Sequence, residues 1–184
     1  MKKGNDGKVT CLCLGPTGSG KTALLKKLSG NKDTDEYSST VPTVGTSLTT
    51  IKVKEQQKIT IREVGGEMAP LWHKYYEGVK KIIYVVDASN LCQISAAGVL
   101  LYDLLTQPKL QKIKILLVLA KMDVSYRQMR NEALLMLQIK TLDDEVPQNI
   151  TIIETSAVTG EGMDQIIEWL QKDKAVTFVE KKAS

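Results

Sequence analysis

The chain has 184 residues, a length that suits one domain with a hydrophobic core and does not favour two. Its net charge of +4 is spread over scattered lysine pairs, and aromatic residues make up only 5%, so the composition does not indicate a nucleic-acid-binding protein. Apolar residues make up 42%, close to the globular average. We therefore expect a monomeric globular domain that folds on its own.

Targeting signals are not evident, and the sequence predicts a cytoplasmic protein without a direct lipid anchor. The longest apolar run, residues 115–120, is far too short to cross a bilayer. The N-terminus lacks the apolar region of a signal peptide, and Lys2 excludes N-myristoylation. No cysteine near the C-terminus is available for prenylation.

The first predicted strand leads into a glycine-rich loop and then into a helix. Residues 8–14 are predicted to form a buried strand, and residues 21–28 a helix. The loop between them matches G-x-x-x-x-G-K-[ST], in which backbone N–H groups and the helix N-terminus bind phosphate. Its residues are Gly15, Pro16, Thr17, Gly18, Ser19, Gly20, Lys21 and Thr22. We expect Lys21 to reach the β- and γ-phosphates of a nucleotide and Thr22 to bind Mg²⁺ through its hydroxyl.

A polar segment with turn chemistry follows the helix and ends in the sequence P-T-V-G. Thr43 of this sequence is expected to add a second hydroxyl to Mg²⁺ when a triphosphate is bound. Two strands are predicted next, over residues 46–54 and 58–64, because β-branched and apolar residues alternate with polar ones.

The second of these strands runs into the sequence E-V-G-G-E, residues 63–67. The N–H of Gly66 is expected to meet the γ-phosphate. The loops over residues 31–46 and 63–78 would then tighten on a triphosphate and relax after the γ-phosphate leaves.

The rest of the chain alternates strand and helix patterns. Residues 79–87 and 113–120 are near-continuous apolar runs, as expected of strands buried on both faces of a parallel sheet. Further strand and helix patterns fall at residues 91–104 (helix), 129–137 (helix), 149–155 (strand) and 163–170 (helix). This alternation predicts a doubly wound α/β domain whose ligand site lies beyond the carboxyl ends of its parallel strands.

A base-recognition loop is predicted at the end of the strand over residues 113–120, in the sequence L-A-K-M-D. The carboxylate of Asp123 can accept both N1–H and N2–H₂ of guanine, a donor pair that adenine does not offer. The stem of Lys121 is expected to lie along the ring. The backbone N–H groups expected near guanine O6 belong to Ser156, Ala157 and Val158.

The ordered combination of P-T-V-G, V-G-G, P-L-W-x-x-Y-Y and D-A-S resembles the Arf and Arf-like branch of the Ras superfamily, from about residue 8 to residue 170. The resemblance implies a P-loop NTPase fold, with a six-stranded, mostly parallel sheet and helices on both faces. It also implies a GTP/GDP cycle with Mg²⁺ and protein effectors or regulators at the loops 31–46 and 63–78. We divide the chain into a polar extension (1–7), the GTPase domain (8–172) and a C-terminal tail (173–184).

Three departures from the family pattern bear on hydrolysis and nucleotide binding. Glu63 stands where Asp is usual, and we expect it to meet Mg²⁺ through water with reduced affinity. Glu67 stands where Gln orients the attacking water, so of the two expected catalytic residues, Thr43 and Glu67, the latter is degenerate. Ala120 replaces an Asn that ties the base loop to the phosphate loop. We expect slow GTP hydrolysis and weakened nucleotide binding.

Two alternatives stay open. The same three substitutions fit a pseudo-GTPase that holds nucleotide and acts only as a protein-interaction module. A P-loop nucleotide kinase would need clustered arginines for a second phosphate group, and the chain offers only Arg62, Arg127 and Arg130.

Overall fold

Six strands form one sheet in the order β2-β3-β1-β4-β5-β6. Neighbouring strands are parallel except β2 and β3, which are antiparallel. Because the chain builds the sheet outward in both directions from β1, the ligand crevice is expected at the carboxyl end of that strand. The strands are β1 Cys11–Leu14, β2 Thr46–Lys54, β3 Gln57–Val64, β4 Lys81–Asp87, β5 Lys114–Ala120 and β6 Ile150–Glu154.

The structure is a computed structural model that describes residues 9–30, 42–125 and 127–172. The predicted N-terminal extension (1–7), most of the first predicted switch loop (31–41) and the predicted tail (173–184) lie outside the described residues.

Helices cover both faces of the sheet, as the sequence predicts. None of the helices within the described ranges combines the length and apolarity that a bilayer crossing requires. The helices are α1 Lys21–Leu28, α2 Leu91–Leu105, α3 Arg127–Met136, α4 Ile139–Glu145 and α5 Met163–Gln171, with 3₁₀ helices at Gly66–Tyr75 and Pro108–Leu110.

Strand β4 shows why its sequence is apolar throughout. Ile82, Tyr84 and Val86 pack into a core shared with α2 and α3, whereas Ile83 and Val85 pack into a second core shared with α1 and α5. Successive side chains of a strand point to opposite faces, so a strand covered on both sides needs apolar residues at every position. The predicted doubly wound architecture is confirmed.

Two elements were not predicted from the sequence. The helix predicted over residues 129–137 is present as α3, and a separate helix, α4, follows it after Gln138, which adopts a left-handed conformation (φ 51°). Gly66–Tyr75 forms a 3₁₀ helix that the sequence pattern did not predict, with Pro70 inside it and Trp72 buried beneath it. Both segments are short, and tertiary packing rather than periodicity decides their form.

Candidate nucleotide-binding site

The predicted phosphate loop connects β1 to α1 at the carboxyl edge of the sheet. Gly15 has a φ of 144°, and a Cβ there would lie 2.2 Å from the carbonyl oxygen of Val85, so only glycine fits. Gly20 (φ 98°) ends the loop, and its carbonyl accepts from Leu24 N at 2.9 Å to begin α1. The first N–H groups of α1 have no partner within the helix and point toward the loop, as phosphate binding requires.

Lys21 is buried in the loop with its charge satisfied by backbone. Its Nζ donates to the carbonyl oxygens of Gly15 at 2.9 Å and Pro16 at 2.7 Å. Burial lowers the pKa of the Lys21 ammonium, an effect that the nearby Cys13 and Glu63 side chains oppose. A desolvated cation next to the N–H groups of the first turn of a helix makes this loop a suitable binding site for a polyanion.

Three oxygen-bearing side chains from distant parts of the chain meet beside Lys21. The hydroxyl of Thr22 donates to Glu63 Oε1 at 2.6 Å, and the hydroxyl of Thr43 donates to the same oxygen at 3.2 Å. No group of three or more His, Cys, Asp or Glu side chains within the described ranges is placed to hold a metal ion by itself. One carboxylate and two hydroxyls are, however, the hard oxygen donors that suit Mg²⁺ when nucleotide phosphates complete the shell. The donor set therefore fits the predicted metal.

Two glycines bring the end of β3 into contact with the phosphate loop and the first predicted switch loop. A Cβ at Gly65 would lie 2.2 Å from the carbonyl oxygen of Thr43, and Gly65 N donates to Gly45 O at 2.9 Å. A Cβ at Gly66 would lie 2.2 Å from the backbone nitrogen of Thr17. A side chain at either position would separate the three segments. A cleft beside this contact is lined by Thr17, Gly18, Gly20, Lys21, Thr22, Pro42, Thr43, Glu63 and Gly66.

The predicted water-orienting residue, Glu67, is exposed at the start of the 3₁₀ helix. That helix is held to the sheet by Trp72, whose Nε1 donates to Gly65 O at 3.2 Å and whose ring packs edge-on against Tyr84. His73, the single histidine, is exposed. Trp72 is therefore a packing residue that positions the turn carrying Gly65.

The predicted base loop follows β5 and is tied to β4 and β6. Lys121 has a positive φ of 62°, and its Nζ lies 2.6 Å from Oδ2 of Asp87. Asp123 Oδ1 accepts from the hydroxyl of Ser156 at 2.6 Å. Sequence reasoning assigned no function to Asp87, although a buried carboxylate at the carboxyl end of a central strand was a usable signal.

The loop after β6 offers fewer free donors than expected. The N–H of Ser156 donates to Glu161 O at 3.1 Å, because Ser156 lies in the turn that leads to α5. The N–H groups of Ala157 and Val158 remain the candidates for guanine O6. Ala120 lies close to the phosphate loop: its Cβ is 3.7 Å from the position that a Cβ at Gly20 would occupy.

Three large aliphatic side chains are exposed in or between the two predicted switch loops. Val44 is 88% exposed, Leu48 60% and Leu71 39%. Beside them the guanidinium of Arg62 lies 5.6 Å from the ring centre of Tyr75, a cation–π distance. Large exposed aliphatic side chains that lie near one another are typical of a surface that contacts protein partners.

Comparisons with known proteins agree with this geometry. The ADP-ribosylation factor family profile matches residues 1–174. Human ADP-ribosylation factor-like protein 16 is 40% identical over 167 residues, which cover 88% of this chain and 84% of that protein. ADP-ribosylation factor-like protein 2 of Dictyostelium discoideum is 30% identical over 173 residues, covering 93% of this chain and 90% of that one. The Arl6 BBS3 small GTPase from Trypanosoma brucei, solved with the bound nucleotide analogue GppNp, has the same fold, with a TM-score of 0.71 at 22% identity over 90% of this chain and 96% of that chain.

Proposed function

The chain belongs to the ADP-ribosylation factor family, and from that premise we propose that it is a guanine-nucleotide switch that binds GTP and GDP with Mg²⁺ and hydrolyses GTP slowly. The single observation that carries the proposal is the convergence of Lys21, Thr22, Thr43, Glu63 and Gly66 on one cleft at the carboxyl end of β1. These residues come from three separate segments of the chain, around residues 21–22, 43 and 63–66.

Each group has a distinct task in this proposal. The phosphate loop and Lys21 bind the phosphates, and the N–H of Gly66 detects the γ-phosphate. Thr22, Thr43 and Glu63 would hold Mg²⁺, which would supply positive charge to offset that of the phosphates. Asp123 selects guanine, and the hydroxyl of Ser156 orients its carboxylate.

Partner binding follows from the same geometry. Thr43 and Gly66 flank the γ-phosphate position, so loss of that group would release both switch loops and alter the apolar surface around Val44, Leu48 and Leu71. We propose that protein effectors and regulators contact this surface. The predicted cytoplasmic location, the monomeric state and the lack of a lipid anchor stay predictions.

Slow hydrolysis is proposed because Glu67 replaces a side chain that would donate a hydrogen bond to the attacking water. An ionised carboxylate only accepts hydrogen bonds, and its charge opposes the developing charge on the γ-phosphate. The exposed position of Glu67 also favours the alternative function, a pseudo-GTPase that keeps its nucleotide and acts by binding partners.

Titration of the purified full chain with fluorescent GDP, GTP and ATP in Mg²⁺ tests the proposal. We expect saturable binding of both guanine nucleotides and at least tenfold weaker binding of ATP. Lys21→Ala is expected to abolish binding, whereas Lys26→Ala, on the exposed side of α1, leaves it unchanged. Equal binding of ATP contradicts the guanine assignment, and binding of no nucleotide contradicts the switch itself.

Base selection has its own test in Asp123→Asn. A carboxamide presents one donor and one acceptor, which matches xanthine because a carbonyl replaces the 2-amino group of guanine. We expect the variant to lose GDP binding and gain binding of xanthosine diphosphate. Asp144→Asn, on the exposed side of α4, is the matched control.

A separate measurement distinguishes the two proposed functions. A slow GTPase releases phosphate from the wild-type GTP complex, whereas a nucleotide-locked module releases none.

A further inference from the structure

Arg62 lies on β3, directly opposite Leu48 of β2 in the antiparallel pairing of the two strands. Residues opposite one another on neighbouring strands present their side chains on the same face of a sheet, so Arg62 and Leu48 share one face. Strand β2 is the last strand on this side of the sheet, and the Leu48 side chain is 60% exposed whereas Arg62 is half-buried. A cation therefore stands beside an exposed aliphatic side chain at the edge of the sheet.

The guanidinium of Arg62 has unused hydrogen-bonding capacity. Its Nε–H is buried and has no hydrogen-bond partner among the described residues. The ion pairs within the described ranges involve other cations, namely Lys121, Arg130 and Lys172. Arginine always carries its charge and presents five N–H donors, so this side chain lacks an anionic acceptor. A partner that supplies the acceptor would remove the cost of leaving a buried donor unpaired.

Tyr75 holds this guanidinium in place. Its ring centre lies 5.6 Å from Arg62 Cζ. A guanidinium over an aromatic ring has one face covered and keeps the N–H groups at its edge available to a planar acceptor. Tyr75 is also the last residue of the 3₁₀ helix that begins at Gly66, which is expected to meet the γ-phosphate. The bound nucleotide would therefore control whether Arg62 is presented in this orientation.

The charge and shape of this surface favour a carboxylate as the acceptor. A carboxylate accepts two parallel hydrogen bonds from a guanidinium, which gives the pair geometric specificity. Phosphate groups are usually recognised by clusters of arginines, whereas Arg62 is the only arginine on β2 and β3. The exposed side chains of Leu48 and of Val44, just before β2, are available for apolar contacts with the same partner.

We propose that Arg62 determines partner specificity by pairing with an aspartate or glutamate that has apolar neighbours in another protein. This inference rests on the proposed switch function and adds the chemistry of the partner to it. Arg62 supplies the charge and the N–H donors, Tyr75 orients the guanidinium, and Leu48 contacts the apolar neighbours. Arginines in the centre of interfaces are frequently among the few residues that dominate the binding energy.

A peptide selection tests the proposal. The full chain, first shown to bind fluorescent GDP, is loaded with a non-hydrolysable GTP analogue and used to select from a library of random peptides displayed on phage. We expect the selected peptides to share one acidic position with apolar neighbours. Arg62→Glu is expected to select a basic residue at that position, whereas the control Lys58→Glu, on the same face of β3, selects the wild-type motif.

The results of the selection separate this inference from the switch itself. If wild type selects no acidic position, or if Arg62→Glu selects the same acidic position, the role of Arg62 is overturned and the nucleotide switch remains intact. Failure of wild type to bind GDP overturns both. Arg62→Gln replaces Arg62→Glu if the latter does not bind GDP, and it is then expected to lose the acidic preference. Retention of that preference by Arg62→Gln overturns the proposal.

Affinity measurements on a selected peptide identify the contact. Fluorescence anisotropy is expected to show roughly tenfold weaker binding when the acidic residue of the peptide is changed to lysine, or when the chain carries Arg62→Gln. The lysine peptide should regain affinity for Arg62→Glu, because the two charges are again opposite and the contact is direct. The absence of any such recovery overturns the direct pair.

Two further results would assign this surface to a different ligand. Tighter binding of the peptide with phosphoserine in place of its acidic residue would show a phosphate site. A wild-type dimer in light scattering that Arg62→Glu converts to a monomer would show that a second copy of the chain covers the surface. Either result overturns the proposal.

Discussion

Lys121 Nζ lies 2.6 Å from Oδ2 of Asp87, and this ion pair joins the base loop after β5 to the end of β4. Asp87 and Ala120 are also partners in the β4–β5 register, so the two loops leave the sheet side by side. The other carboxylate oxygen of Asp87 accepts from Ser89 N and from the Ser89 hydroxyl. These bonds fix the Asp87 carboxylate, which in turn holds Lys121 beside Gly20. A Cβ at Gly20 would lie 3.9 Å from Lys121 Cε.

Asp87→Asn keeps the size of the side chain and removes the charge that holds Lys121. Since Lys121 is 41% exposed, the pair contributes only about 0.5–1 kcal/mol, which corresponds to roughly two- to fivefold faster nucleotide release. Stopped-flow release of fluorescent GDP measures the change, with Asp144→Asn as the control. An unchanged release rate contradicts the positioning of Lys121 by Asp87.

Ala120→Asn is expected to slow nucleotide release. The Ala120 Cβ lies 3.7 Å from the position of a Cβ at Gly20, so a carboxamide at residue 120 reaches the phosphate-loop backbone. One additional hydrogen bond contributes about 0.5–1.5 kcal/mol, or roughly two- to tenfold in rate. The same release assay applies, and Ala96→Asn on the exposed face of α2 is the control. Faster release, or a lower melting temperature, shows that the bond does not form.

Gly66→Ala forces the second switch segment away from the phosphate loop, because the added Cβ would lie 2.2 Å from Thr17 N. The variant is expected to lose the hydrogen bond from the residue 66 N–H to the γ-phosphate, and GTP affinity should fall about tenfold relative to GDP affinity. Equilibrium titration with both nucleotides gives the ratio. Gly98→Ala, whose Cβ meets the Leu137 side chain at an ordinary 3.6 Å, should leave the ratio at the wild-type value.

Glu67→Gln is expected to raise the rate of GTP hydrolysis by roughly tenfold or more, because a neutral carboxamide both donates and accepts hydrogen bonds near the γ-phosphate. Single-turnover phosphate release from the preloaded GTP complex measures the rate. Glu77→Gln removes an exposed carboxylate just after the same 3₁₀ helix and should have no effect. If both variants hydrolyse GTP at the wild-type rate, the residue at position 67 does not limit hydrolysis.

Stability should fall in alkaline solution because of buried thiols in β1. Burial raises the pKa of Cys11 from 9.0 to about 12, so above pH 9 the unfolded chain loses a proton that the folded chain keeps. The contribution of the Cys11 thiol to the free energy of unfolding is fully present below pH 9. Above pH 9 it decreases by about 1.4 kcal/mol per pH unit until the pH reaches the folded-state pKa. Urea unfolding at pH 8–11 should show a shallower decrease for Cys11→Ala. Cys92→Ala, at an exposed thiol, should keep the wild-type slope.

Local patterns in the sequence predicted most of the fold. Helix α1 has its predicted bounds, Lys21–Leu28, and β2 has its predicted bounds, Thr46–Lys54. Helix α4 was missed because the turn before it depends on the left-handed conformation of Gln138, which no short-range pattern requires. The 3₁₀ helix over Gly66–Tyr75 was missed because it is stabilised by the burial of Trp72 against the sheet.

The sequence by itself determined that the chain has a parallel sheet covered on both faces, and it predicted a phosphate loop and a carboxylate suited to guanine, since each follows from neighbouring residues or from the pattern along a strand. Only the tertiary structure decided which side chains meet across the site. Thr22 and Glu63 are 41 residues apart, and Lys121 and Asp87 are 34 apart. Their contacts depend on the order and register of strands in the sheet, where a shift of one residue turns a side chain to the other face. For this physical reason the direct approach of Glu63 to both hydroxyls is visible only in the folded chain.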